Sequence, residues 1–277
     1  METLPIPDLF LKPQPLDGDV DFVPYVSETA VIKGRSILKR HMISLITEGE
    51  KLMYVENNTV RLSPSHVLIL SADNTLFTER LGQNSRIKST MIFFTDTVLL
   101  EVLQTCRADS RPERTSRPFM LFDRDAYLHS YIESVNVLLE QGLLSAALQR
   151  VKLNELLLYL ESKSPGSLAQ FQNSGIANTE EERIRKVMEA HALEQLSLPE
   201  LAFLCHMSVP TFKRKFERVY QESPARWLQI QRLTMAAHRL RTGKARPGEV
   251  YVEAGYENQS SFSKAFKQYF GVLPKDY

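Results

Sequence analysis

Cysteine is almost absent from this 277-residue chain, which has only Cys106 and Cys205, far apart in sequence. Two unpaired cysteines indicate neither a disulfide framework nor a zinc site and fit a reducing, cytoplasmic setting. Histidine is scarce as well, with 6 residues. His41 and His66 stand apart, so the strand region lacks the paired histidines that a metal-dependent oxygenase of cupin type would need. Cys205 falls in an apolar helical stretch, where a buried structural thiol is expected rather than the activated nucleophile of an alkyl-transfer enzyme. No apolar run approaches the ~20 residues needed to cross a bilayer. Met1 to Pro15 is broken by prolines and carries acids, unlike the basic flank and apolar run of a signal peptide. These absences set aside catalysis, a cofactor and a membrane partner.

What is present is an ordinary globular composition, 43% hydrophobic and 24% charged, in a chain long enough for two domains. The net charge of +1 conceals a division. Residues 1–178 carry 18 basic against 21 acidic side chains, whereas residues 179–277 carry 16 against 12. The surplus of positive charge in the last hundred residues favours a polyanionic partner.

That basic region repeats itself. Ser208, Phe212, Arg214, Phe216, Tyr220, Pro224 and Trp227 recur as Asn258, Phe262, Lys264, Phe266, Phe270, Pro274 and Tyr277. In each copy two Phe residues lie four apart with an aromatic four further on, which is a helical stripe with a basic residue on the opposite face. Two copies of one structural unit are expected. With Phe212, Phe216 and Val219 inward, the first helix presents Pro210, Thr211, Arg214, Glu217 and Arg218, flanked by Lys213 and Lys215. The second presents Gln259, Ser260, Ser261, Lys264, Lys267 and Gln268. Arg and Lys donate to guanine O6 and N7, and Gln pairs with adenine through two bonds, so these faces suit double-stranded DNA.

The remaining punctuation predicts an α+β chain. Met42 to Ile46, Lys51 to Val55, Thr59 to Leu62, Val67 to Leu70, Thr75 to Arg80 and Thr90 to Phe94 read as strands, with Asn57-Asn58 as a hairpin turn. Several closely spaced strands suggest a small barrel or jelly roll. Leu128, Tyr131, Val135 and Leu138 mark a following helix, and a second apolar segment runs from Leu143 to Leu160. Residues 164–178 shift to Ser, Gly, Gln, Asn and Pro and read as a linker between domains at 1–163 and 179–277.

Beyond the linker, Thr179 with Glu182 and Ser197 with Glu200 have capping-box spacing. Ser208 is placed to cap the helix beginning at Val209, giving a helix-turn-helix. Ser223-Pro224 opens a helix reaching about Arg241, with Trp227, Ile230, Leu233, Ala237 and Leu240 inward and a length of roughly 27 Å at ~1.5 Å per residue.

Ser208, Phe212, Phe216, Pro224 and Trp227, then Gly255-Tyr256, Ser260, Phe262-Ser263, Phe266-Lys267, Phe270-Gly271, Pro274 and Tyr277, resemble the AraC/XylS family of bacterial transcription regulators. The resemblance implies two helix-turn-helices joined by a long helix, with base-facing positions at Pro210, Lys213 and Arg214 and at Gln259, Ser260 and Lys264. It also implies sequence-specific promoter binding and, most often, activation through contact with RNA polymerase. The second copy departs from the pattern. Pro247 and Tyr251 replace the usual Ile and small Ala, Ser261-Phe262 replaces Tyr-Phe, and Gly248 weakens its helix by about 1 kcal/mol relative to Ala.

The strand-rich N-terminal part looks like the cupin-type regulatory domain of these proteins, and Lys152 to Leu160 is similar to the subgroup containing ExsA-type and other virulence-gene activators. The family's domain dimerises or senses an effector, so Leu143 to Leu160 becomes a candidate homodimer contact. Lys33, Arg35, Lys39 and Arg40 form a local cationic cluster that could meet an acidic small molecule, although a solvated turn is the favoured reading of it, and a protein effector is equally open. An adaptor whose helix-turn-helices no longer bind DNA is the competing reading.

Overall fold

The computed structural model describes residues 3–6, 18–32, 34–55, 58–82, 84–106, 118–172, 179–242 and 247–277, which form two compact units dividing between Ala177 and Asn178. The first unit contains two five-stranded sheets. One holds β1 (Thr3–Ile6), β3 (Gly34–Leu38), β5 (Glu50–Val55), β6 (Asn58–Leu62) and β8 (Asn74–Arg80), in the order β1-β3-β8-β5-β6. The other holds β2 (Val20–Ser27), β4 (His41–Glu48), β7 (His66–Leu70), β9 (Ile87–Phe94) and β10 (Phe119–Asp123), in the order β10-β7-β4-β9-β2. β1 runs parallel to β3, and β2 and β4 flank β9 antiparallel.

Strand β4 is buried along most of its length instead of alternating, because the second sheet is covered on both faces. Met42, Ile46, Leu68, Leu70, Met91 and Phe93 turn toward the first sheet and share a core with Met53 and Phe77. Ile43, Leu45, Val67, Ile69, Ile92 and Phe94 turn the other way. They meet α1 (Asp96–Thr105), α2 (Ala126–Glu140), α3 (Ala146–Lys163) and α4 (Ser167–Gln172) through Leu99, Ile132, Leu156, Leu157 and Phe171. A slip of one residue in β4 would exchange the two faces, so register is fixed from both sides. Each wholly buried Leu, Ile or Phe contributes roughly 1.5–3 kcal/mol.

Side chains set the helix starts. Asp125 accepts from the Leu128 amide at 2.9 Å and also binds Lys163 at 2.7 Å, tying the start of α2 to the end of α3. These donors, the Leu128 amide first, hold the Asp125 carboxyl well below the usual carboxylate range.

All six strands expected from the sequence are present, although the turn at Asn57 lies outside the described residues. The expected linker is in part a helix. Leu168 and Phe171, three apart, are wholly buried in the first unit's core, and this burial orders α4 within a stretch of otherwise polar composition. Residues 164–166 form the turn before α4, and 173–178 lie outside the described residues.

The second unit is helical: α5 (Glu180–His191), α6 (Leu198–Leu204), α7 (Val209–Tyr220), α8 (Pro224–Arg241), α9 (Pro247–Glu253), α10 (Gln259–Phe270) and a closing 3-10 turn, Pro274–Asp276. Both capping boxes form. Glu182 accepts from the Thr179 amide at 2.9 Å, and Glu200 accepts from the Ser197 amide at 2.6 Å. Ile184, Val187, Met188 and His191 are buried on the inner face of α5.

Candidate nucleic-acid interface

The sequence repeat is a repeat of packing. Ring centroids of Phe212 and Phe216 lie 5.6 Å apart, and those of Phe262 and Phe266 lie 5.5 Å apart. Phe216 stacks on Tyr220 at 4.5 Å, and Phe266 meets Phe270 at 4.6 Å. Trp227 presents its edge to Phe216 at 5.9 Å, and Tyr277 does the same to Phe266 at 5.3 Å. Such edge-on aromatic pairs add about 0.5–1.5 kcal/mol beyond their buried area. Tyr277 thus closes the second core where the aromatic of α8 closes the first.

The turns before α7 and α10 are also alike. The Met207 amide donates to the Ala202 carbonyl at 2.9 Å, and the Tyr256 amide donates to the Tyr251 carbonyl at 3.0 Å. Both are Schellman closures around a left-handed residue, His206 (φ 59) in the first and Gly255 (φ 75) in the second. The second turn then contains one additional residue, Glu257, before its capping Asn258. With that shift, Val250 and Ala254 take the places of Leu201 and Cys205, and all four are buried. The expected weakness at Pro247 and Gly248 therefore does not prevent α9 from forming. Pro247 occupies its first position, and Val250 and Ala254 supply the core contacts.

Caps then aim the two amphipathic helices. Ser208 accepts from the Thr211 amide at 3.4 Å, and Asn258 accepts from the Ser261 amide at 2.8 Å. Phe212, Phe216, Phe262 and Phe266 are fully buried. On the opposite face of α7, Pro210, Lys213, Arg214, Glu217 and Arg218 are exposed. Thr211 is half-buried and its hydroxyl accepts from Ser208 at 2.9 Å, which places it in the cap more than on the outer face. Lys215 pairs with Glu180 of α5. On α10, Gln259, Ser260, Ser261, Lys264, Lys267 and Gln268 are all exposed, and the helix carries no acidic residue. The two faces offer donors of the geometry that base edges and phosphates accept.

Helix α8 binds to both halves. Arg239 pairs with Glu253 of α9 at 2.6 Å, and Gln229 donates to the Tyr256 hydroxyl at 3.3 Å. The Arg232 guanidinium donates to the Glu194 carbonyl, between α5 and α6, at 3.1 Å. Sequence reasoning took only the apolar side of α8 and passed over these polar residues. Their signal was the spacing of Arg226, Gln229 and Arg232, three apart and hence on one helix face.

In the first unit the described members of the expected cationic cluster stand in different surroundings. Arg40 is held by Asp21 at 2.6 Å and by the Gly18 carbonyl at 2.7 Å, which neutralises it locally. Arg35 is half-buried within β3, Lys39 is exposed, and Lys33 lies outside the described residues. Among the described residues no group of three His, Cys, Asp or Glu could hold a metal, and no helix is long and apolar enough to cross a membrane. The candidate dimer segment also narrows. Leu153, Leu156, Leu157 and Leu160 are buried in the unit's own core, leaving Leu143, Val151 and Leu158 exposed at 59%, 60% and 43%.

Comparison with known proteins agrees with this anatomy. Residues 41–171 match the ExsA N-terminal regulatory domain and residues 201–277 match a helix-turn-helix domain. Over 164 residues the chain is 31% identical to the virulence regulon transcriptional activator VirF of Yersinia enterocolitica, an alignment covering 59% of this chain and 60% of VirF. It is 29% identical over 124 residues to the HTH-type transcriptional regulator ExsA of Pseudomonas aeruginosa, covering 45% of each. The crystal structure of unsaturated fatty acid bound ToxT from Vibrio cholerae aligns over 93% of both chains at 13% identity, with a TM-score of 0.39. The matched region thus spans about 60% of the length of VirF. With a match to the ExsA regulatory domain followed by a match to a helix-turn-helix domain, the chain is similar in both parts to transcription regulators of the AraC type.

Proposed function

We propose that this protein is a sequence-specific DNA-binding transcription activator whose α7 and α10 enter successive major grooves of promoter DNA. The observation carrying this reading is the register-matched pair of exposed faces, Lys213 and Arg214 on α7 and Gln259, Ser260 and Lys264 on α10, each opposite an equivalent aromatic core. Helix α8, at 18 residues, is roughly 27 Å long. A rod of that length suits reading helices about 34 Å apart, one turn of duplex. Residues 179–277 serve as the DNA-binding domain and the strand-rich unit as the regulatory domain. VirF is named an activator, and activation here would proceed by contact with RNA polymerase.

The regulatory domain associates through α3. Ala147, Val151 and Leu158 share one exposed side of that helix at four- and seven-residue spacing, and a second copy offers the same apolar side by two-fold symmetry. An effector, whether a small molecule or a protein, would act through this same domain.

Alanine at Arg214 tests the reading. It is expected to weaken binding to the selected site by about 1–3 kcal/mol and to relax preference at one base position. A uniform loss on every sequence would reassign Arg214 to phosphate contact.

A further inference from the structure

Between the two helix-turn-helix units lies a groove of about 610 Å³ along one side of α8, bordered by Leu196 and Leu198 before and within α6, Ser223 at the start of α8, and Gly255 and Tyr256 in the turn before α10. Its polar side chains are Ser223, Arg226, Gln229, Arg232 and Tyr256, and no carboxylate lines it. Arg232 is the informative member. Its guanidinium is half-buried, its hydrogen-bond partner is the neutral Glu194 carbonyl, and among the described residues no carboxylate pairs with it. Its Nη1 lies 3.2 Å from where a Cβ on Gly255 would stand, so the glycine leaves the guanidinium room in the groove. Burial pulls the guanidinium below its ordinary range. A half-buried cation without counter-charge is partly desolvated, and an anion in the groove would offset that cost. Arg226, less than two helical turns away, is exposed; it contacts Glu222 at 3.8 Å, donates to Gln229 at 3.2 Å and has its guanidinium 6.0 Å from the centre of the Tyr269 ring.

We infer that this groove seats a phosphodiester of the duplex, the one lying between the two base-reading helices, with Arg232 and Arg226 as its cations and Gln229 and the Tyr256 hydroxyl as neutral donors. The inference rests on the DNA-binding reading above. The groove adjoins the starts of α6 and α8 and the turn leading into Asn258 and α10, so an anion seated there touches residues of both helix-turn-helix units. It adds affinity and fixes the angle between the units without selecting sequence.

The test measures the affinity of the full chain for its selected site and for a random duplex between about 50 and 200 mM salt, in wild type, Arg226→Gln, Arg232→Gln and Arg214→Ala. Each groove variant is expected to lose affinity by the same factor on both duplexes and to flatten the slope of log K against log salt by about 0.9. Arg226→Gln guards against misfolding, since its side chain is exposed. In parallel, inorganic phosphate is titrated at constant ionic strength against the side-chain Nε resonance of Arg232, where a saturable shift that weakens in Arg226→Gln is expected.

Unchanged affinity and slope in both groove variants, while Arg214→Ala loses specificity, would overturn the inference and leave the functional reading intact. A phosphate-induced shift without any effect on DNA binding would make this a free-anion site and overturn the duplex assignment. If wild type binds no duplex, the functional reading fails and the phosphodiester assignment falls with it, while the phosphate titration still reports whether the groove takes an anion.

Discussion

At the residue scale, His41 shows how a single polar side chain ties two elements of the regulatory unit. It is 6% exposed at the start of β4, against the rings of Phe94 and Phe171. The Ala72 amide donates to Nδ1 at 3.3 Å, so the proton sits on Nε2, which donates to Asp96 at 2.8 Å in the first turn of α1. Burial pushes the imidazole below its ordinary value, and Asp96 offsets this only in part. The folded pKa therefore lies below the unfolded value of about 6.5. As the pH falls, the unfolded chain takes up the proton first. The stability contributed is full above about pH 6.5 and is lost as the pH drops from there through the folded pKa. Urea midpoints between pH 7.5 and 5 are expected to fall more steeply for wild type than for His41→Gln. Identical slopes would remove His41 from the acid response. Sequence reasoning could only exclude His41 as half of a metal pair, because its partners come from Ala72 and Asp96, distant in the chain.

At the scale of elements, the two helix-turn-helix units solve the same problem with different backbone chemistry. Helix α7 ends at Gln221 in the left-handed region (φ 55), whereas α10 ends at Gly271 (φ 81). Side chains beyond glycine pay a steric cost there, so Gln221→Gly is expected to stabilise the first unit by about 0.5–1 kcal/mol, less the loss of the Gln221 contact to the Arg218 carbonyl. Conversely, Gly248 sits in α9 with open space where a Cβ would stand, and Gly248→Ala is expected to stabilise the second unit by about 0.5–1 kcal/mol. Thermal unfolding of the two variants checks both signs, and destabilisation by either would show that the position is constrained by something beyond backbone preference.

These same elements mark what was legible beforehand. The caps at Thr179, Ser197, Ser208 and Ser223 and the Phe pairs were readable because helix starts and core faces are local patterns. The six strands were readable from β-branched runs. Strands β1, β2, β3 and β10 and helices α1 and α4 were not singled out; for β10 and α4 the burial comes from contacts distant in sequence, Met120 opposite Ile69 and Phe171 in the core beside Phe94. The extra residue before α10 was hidden too, because a repeat that matches residue for residue from Asn258 onward gives no sign that it shifts by one upstream.

At the scale of the whole molecule, the charge division finds its structural counterpart. The acidic half contains the two sheets with their helical cover, and the basic half contains the helix-turn-helix pair. If the first unit associates through α3, a charge placed on the exposed apolar side breaks the pair without touching the core. Leu158→Glu is expected to shift the full chain from dimer to monomer in sedimentation while leaving its circular dichroism unchanged. An unaltered sedimentation coefficient, with wild type dimeric, would move the contact away from this helix. Both outcomes leave the base-reading helices to be judged on their own evidence.

Selection of binding sites from a random DNA pool by the purified full-length chain tests the central claim most directly. Two reading helices joined by α8 predict an enriched motif in two blocks about one helical turn apart, with the second block losing definition when Lys264 and Gln259 are replaced by alanine. Failure of folded protein at low salt to enrich any sequence would contradict the account.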